Sequence, residues 1–344
     1  MPPDAPSWWY ERPDHPFRTV LRPIAAAYGT IARRRLRSGR AHRAGIPVVC
    51  IGNFTAGGSG KTPLSRTVAE VLGDLGRRPV FLTRGYGGTE RGPHLVDVGN
   101  DTAELVGDEA LLLAASSATV VSRDRAAGAR LIEARDAGDV IVMDDGMQNP
   151  GLAKDLVIAA IDGRHGIGNG DVIPAGPLRA PLADQLALVD AVVVTGVGGL
   201  EASEDICRAF HGPILFARTA PVGDTAWLEN APLLAFAGIG HPERFLRLLE
   251  GLGADVRETR FFADHHPLSD AEARDLLDRA KRTGLHLVTT EKDHVRLMPD
   301  SIAHRHLKQV SQVIAVRAEF TSSEAERMKW LLKEMLDGGE GRVL

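Results

Sequence analysis

The sequence holds only two cysteines, Cys50 and Cys207, in 344 residues. So few, so far apart, exclude a disulfide framework and a cysteine-bearing metal site, and fit a reducing compartment. No apolar run approaches the roughly 18 residues that cross a bilayer. Uncharged stretches such as 110–122 are the size of one buried helix and a turn. A secretory signal is also missing, because Arg18, Arg22 and Pro23 interrupt the early apolar residues and no small-residue cleavage site follows. Nor is there an excess of one charge. A net charge of −4 argues against a generic nucleic-acid binder. What is present, 44% hydrophobic and 25% charged residues, is the balance of a globular core, and the length suggests about two domains.

The charge that exists is unevenly placed. Residues 1–43 carry nine Arg against Asp4, Glu11 and Asp14, a net +6, which leaves −10 for the other 301. Within this segment Phe17, Val20, Leu21, Ile24, Tyr28 and Ile31 recur at helical spacing and form one apolar stripe. Arg18 and Arg22 flank it, Arg33, Arg34 and Arg35 follow it, and Trp8, Trp9 and Tyr10 precede it. Such a pattern describes a helix lying in an anionic membrane surface. A helix docked on its own domain with solvated arginines would show the same pattern.

From residue 46 the pattern becomes short β-branched runs between amphipathic helices. Buried strands are expected at 46–51, 80–83, 119–122, 140–143 and 156–161, which predicts an α/β unit with a doubly wound parallel sheet. Residues 162–181, rich in Gly and Pro, read as a functional loop or an interdomain connection. A second series follows, with strands at 191–195, 214–218, 233–237 and 286–290 and helices near 199–210, 242–252, 268–283 and 322–336. The expected boundaries are 1–43 for the interfacial segment, 44–175 for a nucleotide-binding domain, 176–320 for a second α/β domain and 321–344 for a C-terminal helix.

The strongest chemical signal is the string G-N-F-T-A-G-G-S-G-K-T-P at 52–63, placed between a strand and a helix. Glycines there let backbone N–H groups turn onto phosphate oxygens. Thr55, Ala56, Gly57, Gly58, Ser59, Gly60, Lys61 and Thr62 are therefore candidate nucleotide contacts, with Lys61 at the β/γ-phosphates and Thr62 a candidate Mg²⁺ ligand. The usual first glycine is replaced by Thr55, and the glycines shift toward the lysine. Residues 139–146, D-V-I-V-M-D-D-G, form an apolar strand ending in Asp144 and Asp145, either of which could hold Mg²⁺ beside the γ-phosphate. ATP and Mg²⁺ are the implied cofactors.

These and further strings resemble the tetraacyldisaccharide 4′-kinases, the lipid A 4′-kinases of Gram-negative bacteria. T-R-G-Y-G-G (83–88), G-D-E-A-L-L-L-A (107–114), D-D-G-M-Q (144–148) and P-A-G-P-L-R (174–179) occur in the family's order. A-G-I-G-H-P-E-R-F (237–245), A-D-H-H (263–266) and T-T-E-K-D (289–293) complete it, so the likeness runs from about residue 15 to 320. The resemblance implies two α/β/α domains joined by a hinge, the first like P-loop NTPases, and a membrane-lying N-terminal helix. It implies transfer of the ATP γ-phosphoryl group to the 4′-hydroxyl of a tetraacyldisaccharide 1-phosphate at the cytoplasmic face of the inner membrane. Partners would then be that glycolipid and an anionic membrane surface, without nucleic acid; the oligomeric state is left open, a monomer being compatible with it.

The family's Asp and His map onto Asp108 and His265, as a base and its aligning partner. Apart from the resemblance, Asp108 reads equally as a helix cap and 264–267 as a turn. The His265–His266 pair lacks a third ligand at zinc spacing. Arg84, Arg125 and Arg179 are candidate phosphate ligands, with Arg179 placed for the lipid 1-phosphate or the transferring group. Arg125 also reads as a solvated residue of its helix. Tyr86 stacks on nucleotide or sugar, or packs as a turn aromatic. Three positions depart from the family: Asn149 stands for a usual His, Ala180 for a usual acid, and His241 for a usual Asn. A membrane-associated ATPase switch fits the loop and the basic helix, but leaves the second domain and the D-H-H string without a task. A soluble small-molecule kinase would leave the apolar, arginine-flanked N-terminus without one.

Overall fold

Burial on both faces explains the strands. The computed structural model describes residues 6–11, 14–39, 41–196 and 204–338. Along the first part of the chain run α1 (Pro16–Leu36), β1 (Val48–Asn53), α2 (Lys61–Asp74), β2 (Pro79–Thr83), β3 (His94–Leu95) and α3 (Ala103–Val106). Then come α4 (Asp108–Ala114), β4 (Thr119–Val121), α5 (Arg125–Arg135), β5 (Val140–Asp144), β6 (Leu156–Asp162) and α6 (Leu182–Leu186). β7 (Ala191–Thr195), α7 (Glu204–Ala209) and β8 (Ile214–Pro221) follow. β1, β5 and β7 are buried at every position, so they are continuous apolar runs rather than alternating ones.

A second group comprises β9 (Pro232–Ala237), α8 (Pro242–Gly251), β10 (Asp255–Phe261), α9 (Asp270–Thr283), β11 (His286–Thr290), α10 (Glu291–Val295), α11 (Ile302–Val310) and β12 (Gln312–Ile314). The chain ends in β13 (Val316–Phe320) and α12 (Ser322–Leu336). Two sheets result. One has nine strands in the order β13-β8-β7-β6-β1-β5-β2-β4-β3, and the other four in the order β10-β9-β11-β12. Only the outermost pairs of the large sheet, β13–β8 and β3–β4, are antiparallel. Leu64, Val68 and Leu72 of α2 share one core with Met328, Leu331 and Leu332 of α12, and Ala129 and Ile132 of α5 cover the opposite face.

This arrangement corrects the boundary expected at residue 175. β7 and β8 extend the first sheet, and β13 returns to pair with β8 through Ala318 opposite Thr219. The second sheet therefore holds only residues 232–314, and α12 packs on the first. Apolar runs such as Ala191–Thr195 suit the interior of either sheet, so sequence alone does not assign them. The helix expected near 199–210 is described as α7, and residues 197–203 lie outside the described part.

α1 binds the body by its polar side. Arg18 and Arg22 pair with Asp171 at 2.6 and 3.3 Å, and Arg33 and Arg37 with Asp184 at 2.6 and 3.0 Å. Ala25 and Gly29 are buried between these anchors. The opposite face is apolar and open: Phe17 is 60% exposed, Val20 69%, Ile24 58% and Ile31 66%. Two of the three aromatics expected at an interface belong instead to the body. Trp9 is buried with Nε1 donating to the Pro174 carbonyl at 3.3 Å, and Tyr10 is half-buried with its hydroxyl 3.5 Å from the Ala56 carbonyl. The 162–181 stretch is no interdomain connector. It lies under α1 and pairs with the phosphate loop, Ala56 N–H donating to the Pro177 carbonyl at 2.8 Å. No helix among the described residues is long and apolar enough to cross a membrane.

Candidate active site

The loop 55–62 leaves β1 at its carboxyl end, between β5 and β6, where a parallel sheet opens a crevice for ligands. It enters α2 through Gly60, whose φ of 77° is open to glycine at little cost. Asn53 Nδ2 donates to the carbonyl of Thr55 at 2.7 Å, Arg179 Nε to the same carbonyl at 3.0 Å, and Thr195 Oγ1 to that of Ser59 at 3.0 Å. Carbonyls are thus tied backward. Among the described residues the N–H groups of Gly57, Gly58, Ser59 and Gly60 donate to no protein acceptor. Donors aimed outward at a helix N-terminus are what a polyphosphate requires. Ser59 Oγ is buried and without a partner as well.

The two acids at the end of β5 differ sharply. Asp145 lies 2.8 Å from Arg179 Nη1 and 4.0 Å from Lys61 Nζ. Burial raises its carboxyl, but the Lys61 and Arg179 charges overcome that and hold it at about 2. Asp144 is fully buried, accepts a 2.7 Å bond from Ser65 Oγ, and leaves Oδ2 with no partner. Burial, with the nearby Glu109 charge, pushes its carboxyl up to about 7. An orphaned buried carboxylate oxygen is a hard oxygen donor of the kind Mg²⁺ takes.

α4 begins opposite. Gly107 has φ 89°, and a Cβ on it would stand 2.4 Å from the Tyr86 carbonyl, so only glycine lets the 83–88 loop close on this helix. Asp108, the first residue of α4, is buried. Its Oδ1 accepts the Glu109 N–H at 2.8 Å, and its Oδ2 lies 3.3 Å from Nδ1 of His265. Burial raises the Asp108 carboxyl. The adjacent His265 ring and the charges of Lys292 and Arg296 more than reverse this and hold it well below the usual range. His265 follows β10 in a left-handed conformation, φ 58°, held by its N–H bond to the Gly238 carbonyl at 3.1 Å. Its ring meets that of Tyr86 edge-on at 5.5 Å.

Thr55 to Thr62, Asp144, Asp145 and Arg179 thus meet at one end of the large sheet, and Asp108, His265 and Tyr86 meet in a second cluster. Tyr86 stands against His265 rather than on the phosphate loop. Arg125 is buried, with Nη1 bonded to the Ser122 carbonyl, so it is not a solvated helix residue. Asn149 caps a turn, accepting the Gly151 N–H at 2.8 Å, and Ala180 is buried with its carbonyl on Gln185. Missed from the sequence are Ser65, Gln148 and Gln185, the last two linked at 2.9 Å to brace the loop, and Arg296, on Asp108. Only the basic residue three positions beyond T-T-E-K-D hinted at the last.

A phosphate loop, a buried acid on the adjoining strand and a separate carboxylate–imidazole pair fit a P-loop phosphotransferase. Comparison with known proteins narrows the class. The model of the tetraacyldisaccharide-1-P 4′-kinase family matches residues 17–336, and the chain belongs to that family. The tetraacyldisaccharide 4′-kinase of Rhodopseudomonas palustris (strain BisB18) is 47% identical over 327 residues, 94% of this chain and 93% of the relative. That of Methylobacterium radiotolerans is 47% identical over 325 residues, 94% and 96% of the two chains. Among solved structures, LpxK from Aquifex aeolicus in complex with ATP aligns at a TM-score of 0.73 with 25% identity, over 93% of this chain and 99% of that one.

Proposed function

We propose that the protein transfers the γ-phosphoryl group of ATP to the 4′-hydroxyl of a tetraacyldisaccharide 1-phosphate, a step of lipid A biosynthesis, with Asp108 as the base. The observation that carries this is the pairing of Asp108, at the start of α4 on the large sheet, with His265, in the turn after β10 of the small one. The hydroxyl proton passes to Asp108, the hydroxyl oxygen bonds the γ-phosphorus, and the bond to the bridging oxygen breaks to release ADP. A loose transition state needs little deprotonation early, so a weakly basic carboxylate suffices. Residues 55–62 bind the phosphates, Lys61 and Arg179 balance their charge, and Thr62 and Asp144 would hold Mg²⁺. When bound, that ion supplies charge neutralisation on the phosphate oxygens. Asp145, already paired with Arg179 and Lys61, serves to position those cations. Tyr86 walls the acceptor side.

The open apolar face of α1 supports a peripheral site on the membrane, at its cytoplasmic face where ATP is present. Phe17, Val20, Ile24 and Ile31 enter the acyl boundary while Arg34 and Arg35, both exposed, meet headgroups. A nucleotide switch would not need an acceptor. Labelled ATP and the acyl disaccharide 1-phosphate in mixed micelles test the reading: acceptor-dependent labelling of lipid, lost in Asp108→Ala, is expected. ATP consumption without labelled lipid would reject it.

A further inference from the structure

Arg296 sits just beyond α10 and is 11% exposed. Each of its five N–H donors has an acceptor. Nε donates to Asp108 Oδ2 at 2.9 Å, and Nη2 donates to the same oxygen and to His265 Nδ1, the latter at 3.1 Å. Nη1 donates to the Gly238 carbonyl at 2.6 Å and to Asp293 Oδ1 at 3.1 Å. Gly238 in turn receives the His265 N–H and gives its own to Asp293 at 2.9 Å. One side of the guanidinium is therefore anchored in the second sheet, and the other spans both members of the catalytic pair.

A donor and an acceptor compete for one ring nitrogen. Arg296 has no acceptor atom, so its bond to Nδ1 requires that nitrogen unprotonated. Asp108 Oδ2, 3.3 Å away, would require it protonated. Arg296 is nearer, and it also occupies the lone pairs of Oδ2 that the ring would use. We propose that Arg296 is a positioning residue which keeps the proton of neutral His265 on Nε2 and so assigns proton acceptance to Asp108 alone. This rests on the base reading above. The ring then donates from Nε2, with Asp264 Oδ1 3.8 Å from it. Asp108 Oδ1, engaged among the described residues only by the Glu109 N–H, keeps a lone pair for the hydroxyl proton.

The test uses the full chain. Nitrogen-15 shifts of the His265 ring, assigned against His265→Ala, report which nitrogen is protonated. Wild type is expected to show Nε2–H, and Arg296→Met is expected to move the proton to Nδ1, onto Asp108. In that variant kcat should fall about 10- to 100-fold, with KM for ATP unchanged. The acid limb of kcat/KM for the acceptor should move to higher pH, because one cation facing Asp108 is gone while Lys292, Asp293, Glu109 and His265 remain. Arg296→Lys keeps the charge but not the fork. Its acid limb should stay in place while the ring proton still moves, so it carries the test if the methionine variant does not fold. An unchanged ring tautomer in a folded variant overturns the proposal, as does an unmoved acid limb in Arg296→Met. Asp108→Asn separates the two claims: turnover surviving there rejects the base itself rather than the role of Arg296.

Discussion

The two halves of the site are built on opposite plans. The nucleotide half is nearly continuous: eight residues running from the turn after β1 into the start of α2, plus two acids at the end of the strand beside them. Its strength is backbone, donors left free because carbonyls were tied elsewhere. The half proposed to take the acceptor has no continuous stretch at all. Asp108, His265 and Arg296 come from α4, a turn after β10 and the end of α10, and side chains alone join them. Holding a polyphosphate is a task every P-loop protein shares, and one loop does it. Choosing and activating one hydroxyl needs groups converging from two sheets, so this half responds to how those sheets sit.

Breaking the halves separately sharpens the contrast. Lys61→Ala should cause the largest loss, about 10³-fold in kcat/KM for ATP, measured by initial rates across ATP concentrations. Asp108→Ala should lower kcat by about 10²-fold or more while equilibrium ATP binding, followed by calorimetry, stays near wild type. If ATP affinity fell as far as kcat, the halves would not be separable.

Asp144→Asn offers a finer cut. A carboxyl raised in the fold costs stability as pH climbs from the unfolded value near 4 toward about 7, because the folded state binds the extra proton. Thermal melts of the ATP-free protein should therefore find the variant more stable by roughly 1–3 kcal/mol at pH 8 and little different near pH 4, with phosphoryl transfer lost at both. A variant no more stable at pH 8 would mean that Asp144 is already neutralised there. The smallest effect is expected far from either half. Ile24→Glu should weaken flotation with anionic liposomes by about tenfold, the burial of one such side chain, and leave kcat in micelles unchanged. Unchanged flotation would return α1 to a packing element.

Legibility in the sequence followed the same division. The phosphate loop and the Asp144–Asp145 strand end were readable because their chemistry is contiguous. Asp108 and His265 were readable only through family resemblance, since each alone also fits a cap or a turn. Arg296 was not readable, because nothing local distinguishes it from other arginines; its meaning lies in five hydrogen bonds to four acceptors from four parts of the chain. Among elements, β10 was missed for a physical reason. It is an edge strand, D-V-R-E-T-R-F, mostly open to solvent, so it shows no apolar run. For α1 the stripe was found but not the side that faces the body, because Asp171 and Asp184, the residues that settle it, lie more than a hundred positions away.

That attachment has a further consequence. The loop that bolts α1 down also braces the phosphate loop through Ala56 and Pro177. A helix of 21 residues is about 31 Å long, a long keel for a protein of this size. If α1 lies in the membrane surface as proposed, an enzyme resting on that keel could neither roll nor pitch freely, and its catalytic centre would ride at one height above the lipid headgroups. Depth becomes a criterion of recognition: a sugar hydroxyl floating too high or too low is out of reach, whatever its chemistry.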